Sequence, residues 1–591
     1  MKTTFNAFLA SVLTFGTFAQ QNGPAINGNI ETTFQYLNDD PVIEATQPPQ
    51  KGLLNSYMNV FYNDGKFKAG LRMESYLPRI QGYPSTFDGT GLGMRYIGYQ
   101  NDFVDVTVGS IYEQFGNGLA FRTYENRALG YDNFLDGARV IIKPGKGLKI
   151  KGVYGYQRQA FLEGQIVHGK GLVRGLDAEW NINSFKDSWK DKKLNVTIGA
   201  SFVSKYQKDD REDLVLPENV GAYGGRIAMR YKKFTLNGEY IFKGQDPSFD
   251  NQEIYNTGHA AVINFGYSQK GLGIMLAAKS VDNMSFRSDR DEKLQNLLIN
   301  YLPAMNKVHS YNLVASLYPW ATQPVGEIAF QGEIVYTAKK NKKLFGKYGT
   351  TFNANISTAY RPNRDYSVYN PLDSNGIAYR TGVFDMSDSL YWRDVNFNIY
   401  RKLNKALNIR VSYFNITMNN DVNKVAAYGK GYINANVGVL EVGYKINKKH
   451  SLRGEFQALF INKVDEHVVD VNGDTTMQRV LNDRGNWITG LIEYNVSPHW
   501  FFSVMDQINL ESQASVYSVN HIKEEGVKDT DIFGANLPGV HHFYFSVGYI
   551  RESTRISIGY GRQRAGLFCV GGICRTVPAS NGLTLSFTQS F

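Results

Sequence analysis

The chain has 591 residues, 42% of them hydrophobic, 14% aromatic and 20% charged, with 58 Gly, 17 Pro, 2 Cys and a formal net charge of +10. These values exclude a disulfide-stapled mini-protein, a collagen-like chain and a disordered tail. A soluble chain this long divides into about three or four domains joined by linkers, yet its 38 Tyr, 36 Phe and 58 Gly are spread evenly through short segments of alternating polarity, which predicts one repeated architecture.

Residues 1–19 read as a secretory signal peptide: Lys2, an apolar stretch from Phe5 to Phe18, then Ala19 before Gln20. Cleavage after Ala19 leaves residues 20–591 as one unit, and Gln20 in place of Cys argues against a lipoprotein. No later apolar run approaches the ~18–20 residues that a membrane-spanning helix needs. Export is therefore expected, and any membrane span must be built of strands.

Successive side chains of a strand point to opposite faces, so a strand between lipid and a watery lumen alternates over about 9–11 residues. Phe67, Ala69, Leu71 and Met73 interleave with Lys68, Gly70, Arg72 and Glu74. Leu407, Ile409, Val411 and Tyr413 interleave with Asn408, Arg410, Ser412 and Phe414. Phe543, Phe545, Val547 and Tyr549 do so with His542, Tyr544, Ser546 and Gly548. Connections alternate between short ones, such as Asn63-Asp64-Gly65 and Asn447-Lys448-Lys449, and long ones, such as Glu113 to Leu135, Ser285 to Lys307 and Arg361 to Leu390. That is the asymmetry of periplasmic turns and external loops in outer-membrane barrels. Counting gives about 25 strands, an odd number that a barrel with both ends in the periplasm forbids. The conflict lies at His309 to Ala338, where Tyr318-Pro319-Trp320 and Gln323-Pro324 interrupt an apolar stretch. The expected fold is an all-β transmembrane antiparallel barrel of about 24–26 strands, whose lumen is too wide for strand side chains to fill; it is open or occluded by loops.

The most charged connection begins at Tyr112 and carries Glu113, Arg122, Glu125 and Arg127, followed by Asp132, Asp136 and Arg139. Two readings stand: an inward fold that forms a pore constriction with Glu113 and Glu125 facing Arg122 and Arg127, or a solvated external loop. Gly164 to Gly171 resembles a phosphate-cradling loop but has Gly171 where the Mg-binding Ser or Thr belongs. Ser288 to Tyr301 carries a helical signal: Ser288 as cap, Asp289, Asp291 and Glu292 at the positive end, and Leu294, Leu297, Leu298 and Tyr301 on one face, stopped by Pro303. Such a helix would serve as a plug in the lumen or a lid above it.

Asp470 to Asp474 resembles a calcium loop without its downstream Glu and reads more simply as an Asn-Gly turn. Cys569 and Cys574 flank Val570-Gly571-Gly572-Ile573 and are expected to form a structural disulfide, since a redox pair normally uses C-x-x-C. Leu583, Leu585, Phe587 and Phe591 share one face of a strand at the chain terminus, the pattern of an outer-membrane sorting signal. No catalytic motif, metal site or cofactor site is expected. Much of the positive excess lies in short-turn positions such as Lys339, Lys340 and Lys347, which suit an anionic membrane surface.

The segments Tyr112 to Gly118 with Arg122 to Glu125, Tyr318 to Glu327, Phe345 to Thr350 and Cys569 to Arg575 resemble a porin-like outer-membrane barrel family of Bacteroidota without assigned function. The resemblance implies the Gram-negative outer membrane and the barrel, and brings no substrate. The expected function is a non-enzymatic, porin-like channel for hydrophilic solutes, gated or occluded by inward loops. The alternative is an accessory barrel subunit of a protein secretion or assembly complex. Expected partners are outer-membrane lipid and lipopolysaccharide, the barrel assembly machinery during insertion and, on the alternative reading, secretion-system subunits. Export removes the usual nucleic-acid partners, so none is expected.

Overall fold

Twenty-four antiparallel strands form one sheet, each paired with its neighbours in chain order, and the sheet closes on itself. Ala25–Asn38 pairs with Gly52–Asn63 on one side and with the terminal strand Ser580–Ser590 on the other, in a register running from Asn29 opposite Ser590 to Asn38 opposite Asn581. Closure removes the free edge that an open sheet would expose. The computed structural model describes residues 25–190, 192–341, 344–370, 376–422, 431–461, 465–469, 475–479, 485–510, 540–570 and 573–591. The expected signal peptide and the Asp470 to Asp474 turn lie outside the described residues.

The polarity of the two faces is inverted relative to a soluble sheet. On Phe67–Tyr76, Phe67, Leu71 and Met73 are exposed while Arg72, Glu74 and Tyr76 are buried. On Thr350–Pro362, Ile356 is 50% exposed and its neighbour Asn355 only 3%. The same alternation sets Val411 and Tyr413 outside against Ser412 and Phe414 inside, and Phe456 outside against Gln457 inside. An apolar outer belt around a polar interior is the arrangement that lipid outside and water inside demand, and the chain is a membrane-spanning barrel.

Nearly every connection at one end is short, as at Asp64 to Lys66, Asn101 to Phe103, and Lys232 with Lys233. Gly65 takes φ +88° in the first of these, a conformation that favours glycine. Two longer connections, residues 182–193 and 338–349, lie at the same end. At the other end stand the long loops, among them residues 77–88, 112–134, 244–257, 283–325 and 363–385. Glu163 and Gly164 make an exceptionally short turn there; Gln165–Asn181 then runs as extended strand, so Gly164 to Gly171 forms no phosphate cradle. The ambiguity at His309 to Ala338 resolves into one strand, Gly326–Thr337, preceded by a short helix, Asn312–Leu317, that belongs to a loop. The strand number is thereby even.

At the seam, Leu583, Leu585 and Phe587 lie opposite Tyr36, Phe34 and Thr32 on one side and Tyr560, Ile558 and Ile556 on the other. Tyr36, Tyr560 and Ile558 are exposed, so this face is the lipid-facing one. The Phe591 amide donates to the Gly28 carbonyl at 3.0 Å and the Gly28 amide to the Phe591 carbonyl at 2.9 Å. A Cβ at Gly28 would lie 2.3 Å from the Asn59 carbonyl oxygen and 2.6 Å from the Phe591 ring, so the close approach there admits only glycine.

Two outcomes follow. Ile356→Arg, which places a cation on the lipid face, should cost about 2–4 kcal/mol in reversible unfolding from lipid vesicles; an unchanged transition midpoint would contradict the assigned face. Phe591→Ala should lower the amount of heat-modifiable barrel recovered from membranes, and wild-type recovery would dismiss a sorting role for that ring.

Candidate functional site in the lumen

Two long loops leave the barrel wall and fold into the lumen. The first, residues 112–134, follows the short strand Val104–Ile111. Phe115, Leu119, Ala120 and Phe121 are fully buried, and a tight turn returns the Gly118 amide to the Phe115 carbonyl at 2.8 Å. Gly116, at φ +51°, admits the close approach of the wall: a Cβ there would sit 2.7 Å from both carboxylate oxygens of Glu239. The Asn117 amide donates to the same carboxylate at 2.7 Å.

The four residues expected at a constriction are all in or beside this inward loop, but their partners differ from the expected ones. Glu125 does meet Arg127, at 2.9 Å, and also takes both guanidinium nitrogens of Arg72, at 3.0 and 2.8 Å. Arg127 reaches Glu31 at 2.6 Å and lies 4.3 Å above the Tyr57 ring. Glu113 faces neither expected arginine; it pairs with Lys151 at 2.7 Å and Arg139 at 3.2 Å. Arg122 sits 4.3 Å over the Tyr124 ring and 4.1 Å over that of Tyr301, where the ring faces supply the attraction that a carboxylate was expected to give.

Arg158, which is 1% exposed in its side chain, holds the centre of the charge network. Its guanidinium donates to both oxygens of Glu74, at 3.0 and 2.7 Å, and to Asp132 at 2.9 Å. The Tyr76 hydroxyl donates to Glu74 at 2.9 Å and the Tyr112 hydroxyl to Asp132 at 2.9 Å. Burial pushes the Asp132 carboxyl up; Arg158 pulls against that rise and Glu125 adds to it. Sequence reading singled out neither Glu74 nor Arg158 as site residues. Glu74 was visible as an inward charge on an alternating strand, whereas Arg158 turns inward beside a register shift at His168 that no spacing announces.

The second loop, residues 283–325, is closed at its neck by hydrogen bonds from the Asn283 amide to the Val325 carbonyl and from the Met284 amide to the Pro324 carbonyl, both 2.8 Å. Ser288 to Tyr301 is not a helix. Arg287 and Leu298 form an antiparallel bridge, Leu294 and Leu297 take φ +55° and +51°, and the Arg287 guanidinium donates to the carbonyls of Asn296, at 2.6 Å, and Leu294. Carbonyls that a helix would have bonded internally are taken by that buried arginine, and the segment turns back on itself. Leu297 is buried and Leu294 is 63% exposed, so the proposed apolar face does not exist as one surface.

The two loops join each other: the Arg122 amide donates to the Ile299 carbonyl at 2.8 Å and the Tyr301 amide to the Gly118 carbonyl at 2.9 Å. Gln157, on strand Leu148–Leu162, and Asn133 both donate to the Leu298 carbonyl at 2.9 Å. Further on, Lys307 pairs with Glu333 at 2.6 Å and His309 with Asp394 at 2.7 Å, and the Leu313 amide donates to Gln457 on strand His450–Ile461 at 3.1 Å. Those two strands are seventh and nineteenth in a ring of 24, so the loop crosses the lumen from one wall to the opposite one. Glu327 fastens its end: it pairs with Lys279 at 2.8 Å, both fully buried, and accepts from the Trp320 indole at 3.1 Å and the Gln323 amide at 2.8 Å.

Among the long loops a cavity of about 1180 Å³ opens, lined in part by Asp250, Lys293, Asn300, Tyr301, Arg364 and Tyr379. Asp250 pairs with Arg287 and Arg364 with Asp282, each at 2.7 Å, and the Lys293 ammonium lies 3.8 Å from the Phe249 ring centroid. The hairpin formed by Gly566–Val570 and Ile573–Val577 also borders it, with Cys569 and Cys574 bonded through their sulfurs and Arg575 donating to the Gly82 carbonyl at 2.7 Å. Among the described residues no group of three or more His, Cys, Asp or Glu side chains converges as a metal site would require.

Solved structures similar to this chain include the siderophore receptor PirA from Pseudomonas aeruginosa, with 9% identity, a TM-score of 0.39 and coverage of 97% of this chain and 82% of that one. Another is the outer membrane transporter YddB from Escherichia coli, with 9% identity, a TM-score of 0.38 and 97% and 81% coverage. A third is the ferric yersiniabactin uptake receptor FyuA from Yersinia pestis, with 10% identity, a TM-score of 0.33 and 97% and 81% coverage. No curated protein matches the sequence. The model of a family of unknown function, DUF6029, matches residues 1–591, and the chain belongs to that family.

Proposed function

We propose that the barrel is a channel for hydrophilic solutes in the outer membrane of a Gram-negative cell, with the two inward loops as its gate. The observation that carries this reading is that charged side chains of the loops meet opposite charges on the wall, Glu113 with Arg139 and Lys151, Glu125 with Arg72 and Lys307 with Glu333, while His309 is hydrogen-bonded to Asp394. Replacing a buried ion pair with well-packed apolar side chains is often neutral or stabilising by ~1–4 kcal/mol, so permanent closure alone gives no reason to keep these charges. Charged and amide contacts exchange for water when a segment moves, as a gate requires. The cavity among the long loops gives a solute a place to rest before the gate opens.

One observation favours a second reading, a barrel that stays shut and serves as an accessory subunit of a secretion or assembly complex. Phe115, Phe121, Phe286, Leu313 and Trp320 share one buried apolar cluster with the wall residues Val173, Val203, Ile241 and Ala435. Planar-bilayer conductance separates the two. The Ser288 amide already donates to the Leu297 carbonyl at 3.0 Å, so residues 289–296 can be replaced by a two-residue turn. The gated channel should then show a higher steady current than the wild type; unchanged current, together with copurifying secretion components, would favour the accessory subunit.

The loop's anchorage gives a separate outcome. Glu327→Gln leaves the Lys279 charge without its carboxylate, a loss of about 3–5 kcal/mol for a buried pair. Limited proteolysis should then cut between residues 303 and 324 while the barrel remains heat-modifiable; protection equal to the wild type would show that this pair does not hold the loop.

A further inference from the structure

Most connections at the short-turn end are two to four residues long, and residues 182–193 depart from that pattern. The segment is built rather than slack. Asn183, 7% exposed, donates through its side-chain amide to the carbonyls of Trp189, at 3.0 Å, and Leu194, at 2.7 Å, and its side-chain oxygen accepts from the Val196 amide at 2.9 Å. This clamp orders the segment that carries Phe185 and Trp189, next to Trp180 at the end of the strand Gln165–Asn181. Trp180 lies on the same strand face as Leu176, which is 55% exposed toward lipid, and stands opposite Leu148 and Ile198. The Phe185 ring meets Trp180 edge-on at 5.7 Å, and Trp189 follows at 6.3 Å from Phe185. The aromatic surface therefore continues the lipid-facing belt past the end of the strands.

Lysines surround these rings. The Lys146 ammonium is 5.4 Å from the Phe185 centroid, and those of Lys186 and Lys192 are 5.3 and 5.4 Å from that of Trp189. Lys190 is matched by Asp187 at 2.7 Å; no carboxylate pairs with Lys146, Lys186 or Lys192 among the described residues. Tryptophan and phenylalanine at the hydrocarbon boundary, with cations just beyond it, complement a lipid whose headgroup carries negative charge.

We infer that Trp180, Phe185 and Trp189 with Lys146, Lys186 and Lys192 form a binding site for an anionic phospholipid of the periplasmic leaflet, the rings against its acyl-glycerol region and the ammonium groups on its phosphate. The site is independent of the lumen and of whether solutes pass through it. A free protein partner is the competing occupant, and continuity with the lipid-facing belt argues for lipid.

The test uses the full-length barrel, delipidated in detergent, incubated with phosphatidylglycerol or phosphatidylcholine and freed of excess lipid, with bound lipid counted by native mass spectrometry. Retention of phosphatidylglycerol over phosphatidylcholine is expected, weakening as salt rises. Replacing Lys146, Lys186 and Lys192 with Gln should weaken phosphatidylglycerol retention on the order of a hundredfold and leave phosphatidylcholine unchanged. Replacing Lys339 and Lys340 with Gln, two exposed lysines at the same end, should leave retention at the wild-type level. Equal retention of the two lipids by the wild type overturns the site, even if the triple variant fails to assemble. So does a loss as large in the Lys339/Lys340 variant, which would reduce the effect to diffuse charge.

Discussion

A hydrocarbon layer offers backbone amides and carbonyls no partner, and each one left open there costs several kcal/mol. That constraint governs this protein more than any side-chain contact does. It requires the first strand to bond to the last, and the Gly28–Phe591 exchange carries the pairing to the final residue. It also fixes the polarity of each ribbon, because only apolar side chains can face the lipid between two satisfied backbones. Once 24 strands are needed to complete the ring, the interior is wider than strand side chains can span, and whatever closes the lumen has to come from the connections.

The loops that fold into the lumen meet a wall already charged. Arg158 shows how such a place is made tolerable: its guanidinium is matched by two carboxylates and lies 5.2 to 5.6 Å from the rings of Phe87, Phe134 and Phe161. Charges this deep are weak contributors to net stability, since desolvation offsets much of their attraction. Their geometric demand is strong, however. A carboxylate displaced from Arg158 would leave a buried cation uncompensated, so Asp132 and with it the end of the first inward loop are held to one position relative to Glu74 on the wall.

This division also explains what the sequence disclosed. Face polarity is a local property, so the strands, their alternation and the contrast of short and long connections were legible from periodicity; it counted about 25 strands, and the even number came only from the parity that a closed barrel imposes. Glu125 and Arg127 were expected within one group of four opposite charges, and of that group these two do meet, at 2.9 Å. The pairing of Glu113 with Lys151, or of Glu74 with Arg158, was not legible, because it depends on which loop turns inward and how deep it goes. The segment Ser288 to Tyr301 misled for the same reason. Its leucine spacing favours a helix, but a buried arginine just before it competes for the Leu294 and Asn296 carbonyls, and a tertiary contact of that kind overrides a weak local propensity. The strand count was ambiguous at His309 to Ala338 because its apolar residues Tyr311, Leu313, Val314, Leu317 and Trp320 are buried in the loop core rather than in the wall.

The neck of the second loop limits how any opening could occur. Residues 283 and 325 are hydrogen-bonded to each other where two adjacent strands, Leu272–Asp282 and Gly326–Thr337, meet the loop. The segment between them is therefore tethered at both ends to one patch of wall and cannot leave the lumen as a free body without breaking that neck. Motion has to be a rearrangement of the loop's body, where Lys307 pairs with Glu333 on the tether strand itself, His309 meets Asp394 two strands further round and the Leu313 amide meets Gln457 three strands beyond that. These are polar contacts that water can replace, while the neck is backbone bonding that it replaces less readily. On the proposed reading, a gate hinged in this way swings about that neck, and the passage it clears lies beside the loop rather than through the full width of the barrel.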